Sequence, residues 1–253
     1  MPPRDVPGLG DVVALAAGGL VEDEDPSLGF TCAVRGGDTV ACWGDNRSGQ
    51  LGAGGDAEVR GEPAEVFDAD GFPLRGVTRV AAGEAHVCAL DERGDVWCWG
   101  DGAAGAVRKQ GVSGAIDVAA GGRHSCAALG TGEVLCWGWN LNGQSGGRFV
   151  SDGEDSVGVT RVEGVAGARA VVAGGRHSCA LLDDGGVMCW GSNQSGQLGT
   201  EEASLSSTPV RAALGVRATA LAAGSEHTCA LDDEGGVSCW GSDGHGQVGT
   251  GRE

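Results

Sequence analysis

A fifteen-residue phrase, HSCALLDDGGVMCWG from His177 to Gly191, recurs along this chain and limits what the chain can fold into. It returns as HVCALDERGDVWCWG from His86, HSCAALGTGEVLCWG from His124 and HTCALDDEGGVSCWG from His227. A variant, FTCAVRGGDTVACWG, starts at Phe30. Five copies define a repeat protein, in which each unit buries its apolar face against its neighbours.

Each phrase reads as strand, tight turn, strand. A short apolar run ending in Ala-Gly precedes each copy, closing at Gly18, Gly83, Gly121, Gly174 and Gly224. A glycine-punctuated loop follows four of them: DNRSGQLG after Gly44, WNLNGQSG after Gly138, SNQSGQLG after Gly191 and SDGHGQVG after Gly241. First cysteines at 32, 88, 126, 179 and 229 space the units by 56, 38, 53 and 50 residues. Short strands at this period, with Gly-rich turns and no sustained helical pattern, predict an all-β chain of β-propeller blades with three or four strands each. The expectation is a single domain over 1–253, with units near 11–54, 76–107, 115–147, 168–200 and 218–250.

Two units depart from the pattern. The first carries an insertion between Gly18 and Cys32 that includes Glu22, Asp23, Glu24 and Asp25. The second lacks Gly-Gln after its Trp-Gly, which predicts a missing or irregular outer strand. The last unit stops without an outer strand, and Pro2-Pro3-Arg4-Asp5-Val6 resembles Thr208-Pro209-Val210. Residues 1–10 are therefore read as a strand that closes a five-bladed ring; the alternative is that the chain is part of a larger ring.

The turn within the phrase sets a register. With Cys88 opposite Cys98, Glu92-Arg93-Gly94 form a three-residue hairpin loop whose last position is left-handed, as Gly allows. Gly94, Gly132, Gly185 and Gly235 fall on that position, and Asp38 takes it in the first copy. That register faces the cysteines in pairs: 32/42, 88/98, 126/136, 179/189 and 229/239, with none left over. Opposite residues of an antiparallel pair lie within disulfide reach. Five cross-strand disulfides are the first reading, which implies an oxidising compartment. Buried reduced thiols are the second. Zinc on His86, Cys88 and Cys98 is a third; it offers three ligands and fails where Phe30 replaces His.

Seventeen basic residues against thirty-five acidic ones give a net charge of -18, so phosphate backbones and anionic lipid are poor partners. No segment reads as an export signal or a membrane span, and the sequence is read as a mature or excised domain. Asp68-Ala69-Asp70-Gly71 begins like a calcium loop without the rest, and no nucleotide-binding or nucleophile-elbow motif is present. No metal or cofactor is expected.

The repeated Ala-Gly, His-x-Cys-Ala-Leu, Gly-x-Val-x-Cys-Trp-Gly and Asn-x-x-Gly-Gln-Leu-Gly resemble the repeats of the regulator of chromosome condensation family, from about Asp11 to Gly249. The resemblance implies a propeller, best known with seven blades. The Cys-rich, acidic form resembles bacterial, exported members of the family.

The histidines at 86, 124, 177 and 227 share one repeat position, so they read as structural before catalytic. His245 reads as a solvent-exposed loop residue, and Trp97 as a strand filler. Trp139 stands where Asp45, Asp101, Ser192 and Ser242 stand in other units, so it is a candidate binding anchor together with Asn140. The acidic residues 22–25 form a second candidate contact. The expected function is non-catalytic protein binding through blade loops by an extracellular, cell-surface or periplasmic monomer. The resemblance admits a secreted inhibitor-like binder as one form, and nucleotide exchange on a small GTPase as an alternative. A polysaccharide-active enzyme with paired carboxylates is the third reading.

Overall fold

The computed structural model describes residues 4–19, 29–55, 57–147, 156–201 and 204–251. Every element among them is a strand, and the strands form five antiparallel sheets, one per repeat. Blade 1 is β1 (Val12–Gly19), β2 (Gly29–Arg35), β3 (Val40–Asp45) and β4 (Val59–Glu65). Blade 2 is β5 (Val77–Ala82), β6 (His86–Asp91), β7 (Val96–Gly100) and β8 (Ala103–Arg108). Blade 3 is β9 (Ala115–Ala120), β10 (His124–Leu129), β11 (Val134–Trp139) and β12 (Ser156–Arg161). Blade 4 is β13 (Ala168–Ala173), β14 (His177–Leu182), β15 (Val187–Ser192) and β16 (Leu205–Arg211). Blade 5 is β17 (Ala218–Ala223), β18 (His227–Asp232) and β19 (Val237–Gly241). The chain divides into two compact units, 1–110 with blades 1 and 2, and 111–253 with blades 3 to 5.

The hairpin register follows from the turn. Cys32, Cys88, Cys126, Cys179 and Cys229 stand directly opposite Cys42, Cys98, Cys136, Cys189 and Cys239. The left-handed turn position holds Gly94 at φ 80°, Gly185 at 79° and Asp38 at 65°. The five cysteine pairs are joined, with S–S distances of 2.09–2.14 Å, and the described residues include no free cysteine.

The second unit does have an outer strand. Its backbone pairs Trp97 with Arg108 and Cys98 with Val107, so β8 begins directly after the Trp-Gly turn. The loop at residues 67–73 supports the far edge of β8, through Ala106 N to Phe67 O (2.8 Å) and Ala69 N to Ala106 O (3.0 Å). Residues 4–10, expected to add a closing strand, form no strand here; 1–3 lie outside the described residues. The acidic stretch Glu22, Asp23, Glu24 and Asp25 also lies outside them.

Each unit packs its own core. In the first, Phe30, Val34, Val40, Leu51, Val87, Ala89 and Trp99 form one buried cluster spanning both blades. In the second, Cys126, Val134, Val162, Ala180 and Trp190 join blades 3 and 4. Leu181, Leu198, Ala212 and Ala230 join blades 4 and 5. Alternating side chains place these residues on the sheet faces that meet the neighbouring blade.

Candidate binding surface

Within each compact unit, neighbouring blades are latched by residues that recur in the repeat. His124 Nε2 lies 2.8 Å from Ser178 Oγ on the next blade, and His177 Nε2 lies 2.9 Å from Thr228 Oγ1 on the one after. Ser178 donates to Gln144 O, and Thr228 donates to Gln197 O. The same two carbonyls accept the indoles of Trp190 and Trp240, each at 2.9 Å or less. Trp99 makes the corresponding bond to Gln50 O between blades 2 and 1. The recurring tryptophan and histidine of the phrase therefore act across blades, and a histidine that is buried and bonded to a neighbour's hydroxyl is packing, not an exposed reactive group. Burial, with His227 nearby, pushes the His177 imidazole down to about 4 and keeps it neutral at pH 7.

The exception at Phe30 has a partner of its own kind. The repeat position filled by Ser178 and Thr228 is Val87 in blade 2, and Phe30 and Val87 are both buried in the one cluster of the first unit. A polar pair and an apolar pair thus occupy equivalent places. Both rings lie over the glycine that closes the Ala-Gly run before the hairpin: a Cβ on Gly174 would sit 2.2 Å from His177 Cε1, and one on Gly18 would sit 2.7 Å from Phe30 Cζ.

The loops are built on this frame. Asn46, Asn140 and Asn193 accept at Oδ1 the backbone N–H of Leu51, Ser145 and Leu198, and donate from Nδ2 to Ala57 O, Gly146 O and Thr200 O. Gln50, Gln144, Gln197 and Gln247 accept from the backbone N–H of Ser48, Asn142, Ser195 and His245. Asn140 is fully buried in this role. Asp68 accepts from the N–H groups of Asp70 and Phe72, so it staples its own turn. Trp97 is half-buried, with its indole donating to Asp91 Oδ2 at 3.1 Å.

The turn before each histidine and the start of the loop after Cys-Trp-Gly meet at one end of each blade. The bonds are Asp101 N to Ala85 O, Trp139 N to Arg123 O, Ser192 N to Arg176 O and Ser242 N to Glu226 O, at 2.8–3.0 Å. The glycine between is obligatory: a Cβ on Gly191, which has φ +108°, would lie 2.6 Å from Arg176 O. This end carries the residues that vary. Trp139 is half-buried there. Arg123 and Arg176, both exposed, place their guanidinium carbons 6.0 and 5.9 Å from its ring centroid. Trp139 is legible in the sequence because it breaks the polar pattern. The two arginines are legible only as the same kind of variation: the position before each histidine reads Ala85, Arg123, Arg176 and Glu226.

Family models described as the regulator of chromosome condensation (RCC1) repeat match residues 77–106, 115–144, 168–197 and 218–247, and residues 39–90 and 184–231. The ultraviolet-B receptor UVR8 of Arabidopsis thaliana is 32% identical over 196 residues, which is 71% of this chain and 43% of that protein. The probable E3 ubiquitin-protein ligase HERC6 of Homo sapiens is 32% identical over 160 residues, 63% of this chain and 12% of that protein. The chain thus spans less than half the length of either relative. Human WBSCR16 has a similar structure, with a TM-score of 0.77 at 25% identity, covering 91% of this chain and 62% of that one. Prp20p of Saccharomyces cerevisiae, described with its binding to Gsp1p and histones, aligns with a TM-score of 0.65 at 20% identity over 94% of this chain and 74% of that one, a likeness of fold.

Proposed function

This chain belongs to the regulator of chromosome condensation repeat family, and from that premise we propose that it is an exported, non-catalytic propeller domain that binds a protein partner through its blade loops. One observation carries the reading. The histidines, tryptophans, asparagines and glutamines that recur are consumed in latching blades and stapling loops, which leaves the variable end of each blade for contact. A rigid frame with variable loops suits recognition. Family propellers bind proteins, as the description of Prp20p with Gsp1p and histones illustrates. The five cystine pairs support an oxidising location outside the cytosol.

The test is site-specific photo-cross-linking with a photoreactive residue placed at Trp139, and in a second protein at Arg217 on an exposed segment preceding β17. Cross-linking runs on the native proteome, and adducts are identified by mass spectrometry. A protein adduct formed from position 139 and absent from 217 is the expected result. Adducts equal at both positions, or none at 139, would overturn the loop-face reading.

A further inference from the structure

Arg123, Trp139 and Arg176 stand out in this protein because of its charge. The chain carries a net -18, yet the two exposed guanidiniums flank one indole. Among the described residues, neither is ion-paired with a carboxylate. Arg108, Arg161 and Arg211, by contrast, each pair with an acid close by. The patch is built on fixed backbone. Arg123 O and Arg176 O each accept a bond from the loop start, at 2.9 and 2.8 Å, and the residue after each arginine is a fully buried histidine latched to the next blade. Trp139 itself is held at both backbone ends, by Arg123 O and by the Ser145 hydroxyl at 3.0 Å. Leu141, two residues on from Trp139 in the same loop, is 43% exposed.

The chemistry of the patch selects its ligand. A guanidinium presents a planar fork that matches a carboxylate, and stacking on a ring restricts the side chain without using its N–H donors. Tryptophan and arginine anchors on a preformed surface are the residue types that dominate protein interfaces. We propose that Arg123, Trp139 and Arg176 dock an acidic peptide segment of the protein partner, with carboxylates on the two guanidiniums and an apolar side chain against the Trp139 ring. This rests on the protein-binding reading above and gives that surface its partner chemistry. A polyanion such as nucleic acid fits less well. Its charge extends beyond the patch into an acidic surface, whereas a short segment meets only the local field, the rest being screened beyond about 8 Å at physiological salt.

The probe is a dye-labelled short peptide of glutamate and aspartate with one central leucine. Its lysine analogue serves as control, and both are read by fluorescence anisotropy against the oxidised full chain at physiological salt. The expected result is saturable binding of the acidic peptide alone. Arg123→Glu with Arg176→Glu should weaken it by roughly tenfold or more, and Trp139→Ala by several-fold. Reversing two exposed arginines elsewhere, Arg35→Glu with Arg93→Glu, should leave it unchanged. Thermal melts of each variant separate lost binding from lost folding. No saturable binding, or an equal loss in the Arg35/Arg93 control, overturns the proposal. A partner cross-linked at position 139 alongside a non-binding acidic peptide sinks only this assignment; failure of both experiments sinks the loop-face reading as well.

Discussion

The pairing of Phe30 with Val87 where other blades pair histidine with a hydroxyl invites a transplant: His177→Phe with Thr228→Val. Thr228→Val alone strands His177 Nε2 in a site with no measurable exposure, at a cost of about 1–3 kcal/mol. His177→Phe alone removes one hydrogen bond but leaves Thr228 donating to Gln197 O at 3.1 Å, a loss of about 1 kcal/mol. In the double variant no buried polar atom of the pair remains, and Gln197 O keeps the indole of Trp240 at 2.8 Å. The phenyl ring has room, because Phe30 already lies over Gly18 as His177 lies over Gly174. The double variant should therefore lie within about 1 kcal/mol of the parent, a coupling of roughly 1–3 kcal/mol against the sum of the singles. The assay is denaturant unfolding at pH 7 with cystines intact, followed by near-ultraviolet circular dichroism. A double variant as unstable as the two singles added together would refute the equivalence of the two junctions.

Acid titration gives an independent check on the same histidine. Its folded pKa, about 4, lies below the ordinary 6.5, so between those values the unfolded chain takes up a proton that the folded one refuses. This contribution is complete above pH 6.5 and is lost as pH falls toward 4, by at most about 1.4 kcal/mol per pH unit. The parent-minus-variant stability difference for His177→Phe/Thr228→Val should show that slope, measured by denaturant unfolding at stepped pH. Gly174→Ala should destabilise by about 1–3 kcal/mol, since its Cβ would meet His177 Cε1 at 2.2 Å and Gly224 O at 2.5 Å. Gly158→Ala, with nothing within 4 Å, should change the melting transition little. Removing one cystine as Cys179→Ala/Cys189→Ala should cost about 2–3 kcal/mol for so short a loop, read by the same unfolding assay.

What the sequence disclosed was local. The left-handed position at Gly94 or Asp38, the pairing of Cys88 with Cys98 and the alternation of the strands all lie within one hairpin, where a turn residue fixes the register. What it hid lies between repeats. Ser178 is 54 residues from His124, and only the stacking of blades makes it a partner. Phe30 breaks the pattern in sequence, and only the fold brings Val87, at the matching position of the next blade, into the same buried cluster. The outer strand of blade 2, expected to be missing or irregular, is poorly legible because Ala103–Arg108 has little side-chain signal; its backbone is held by β7 on one edge and by the 67–73 loop on the other. Of the surface, Trp139 was visible as an aromatic in a polar position. Its arginine neighbours were not, since they lie 16 positions before it and 37 after, and meet it only through the fold.

An exported binding domain on a cystine-locked frame is tested by alkylating the unfolded protein from its native compartment, with intact mass measured before and after reductant. No alkylated cysteine is expected before reduction and all ten afterwards. Ten free thiols before reduction would contradict it and would place the chain in a reducing compartment.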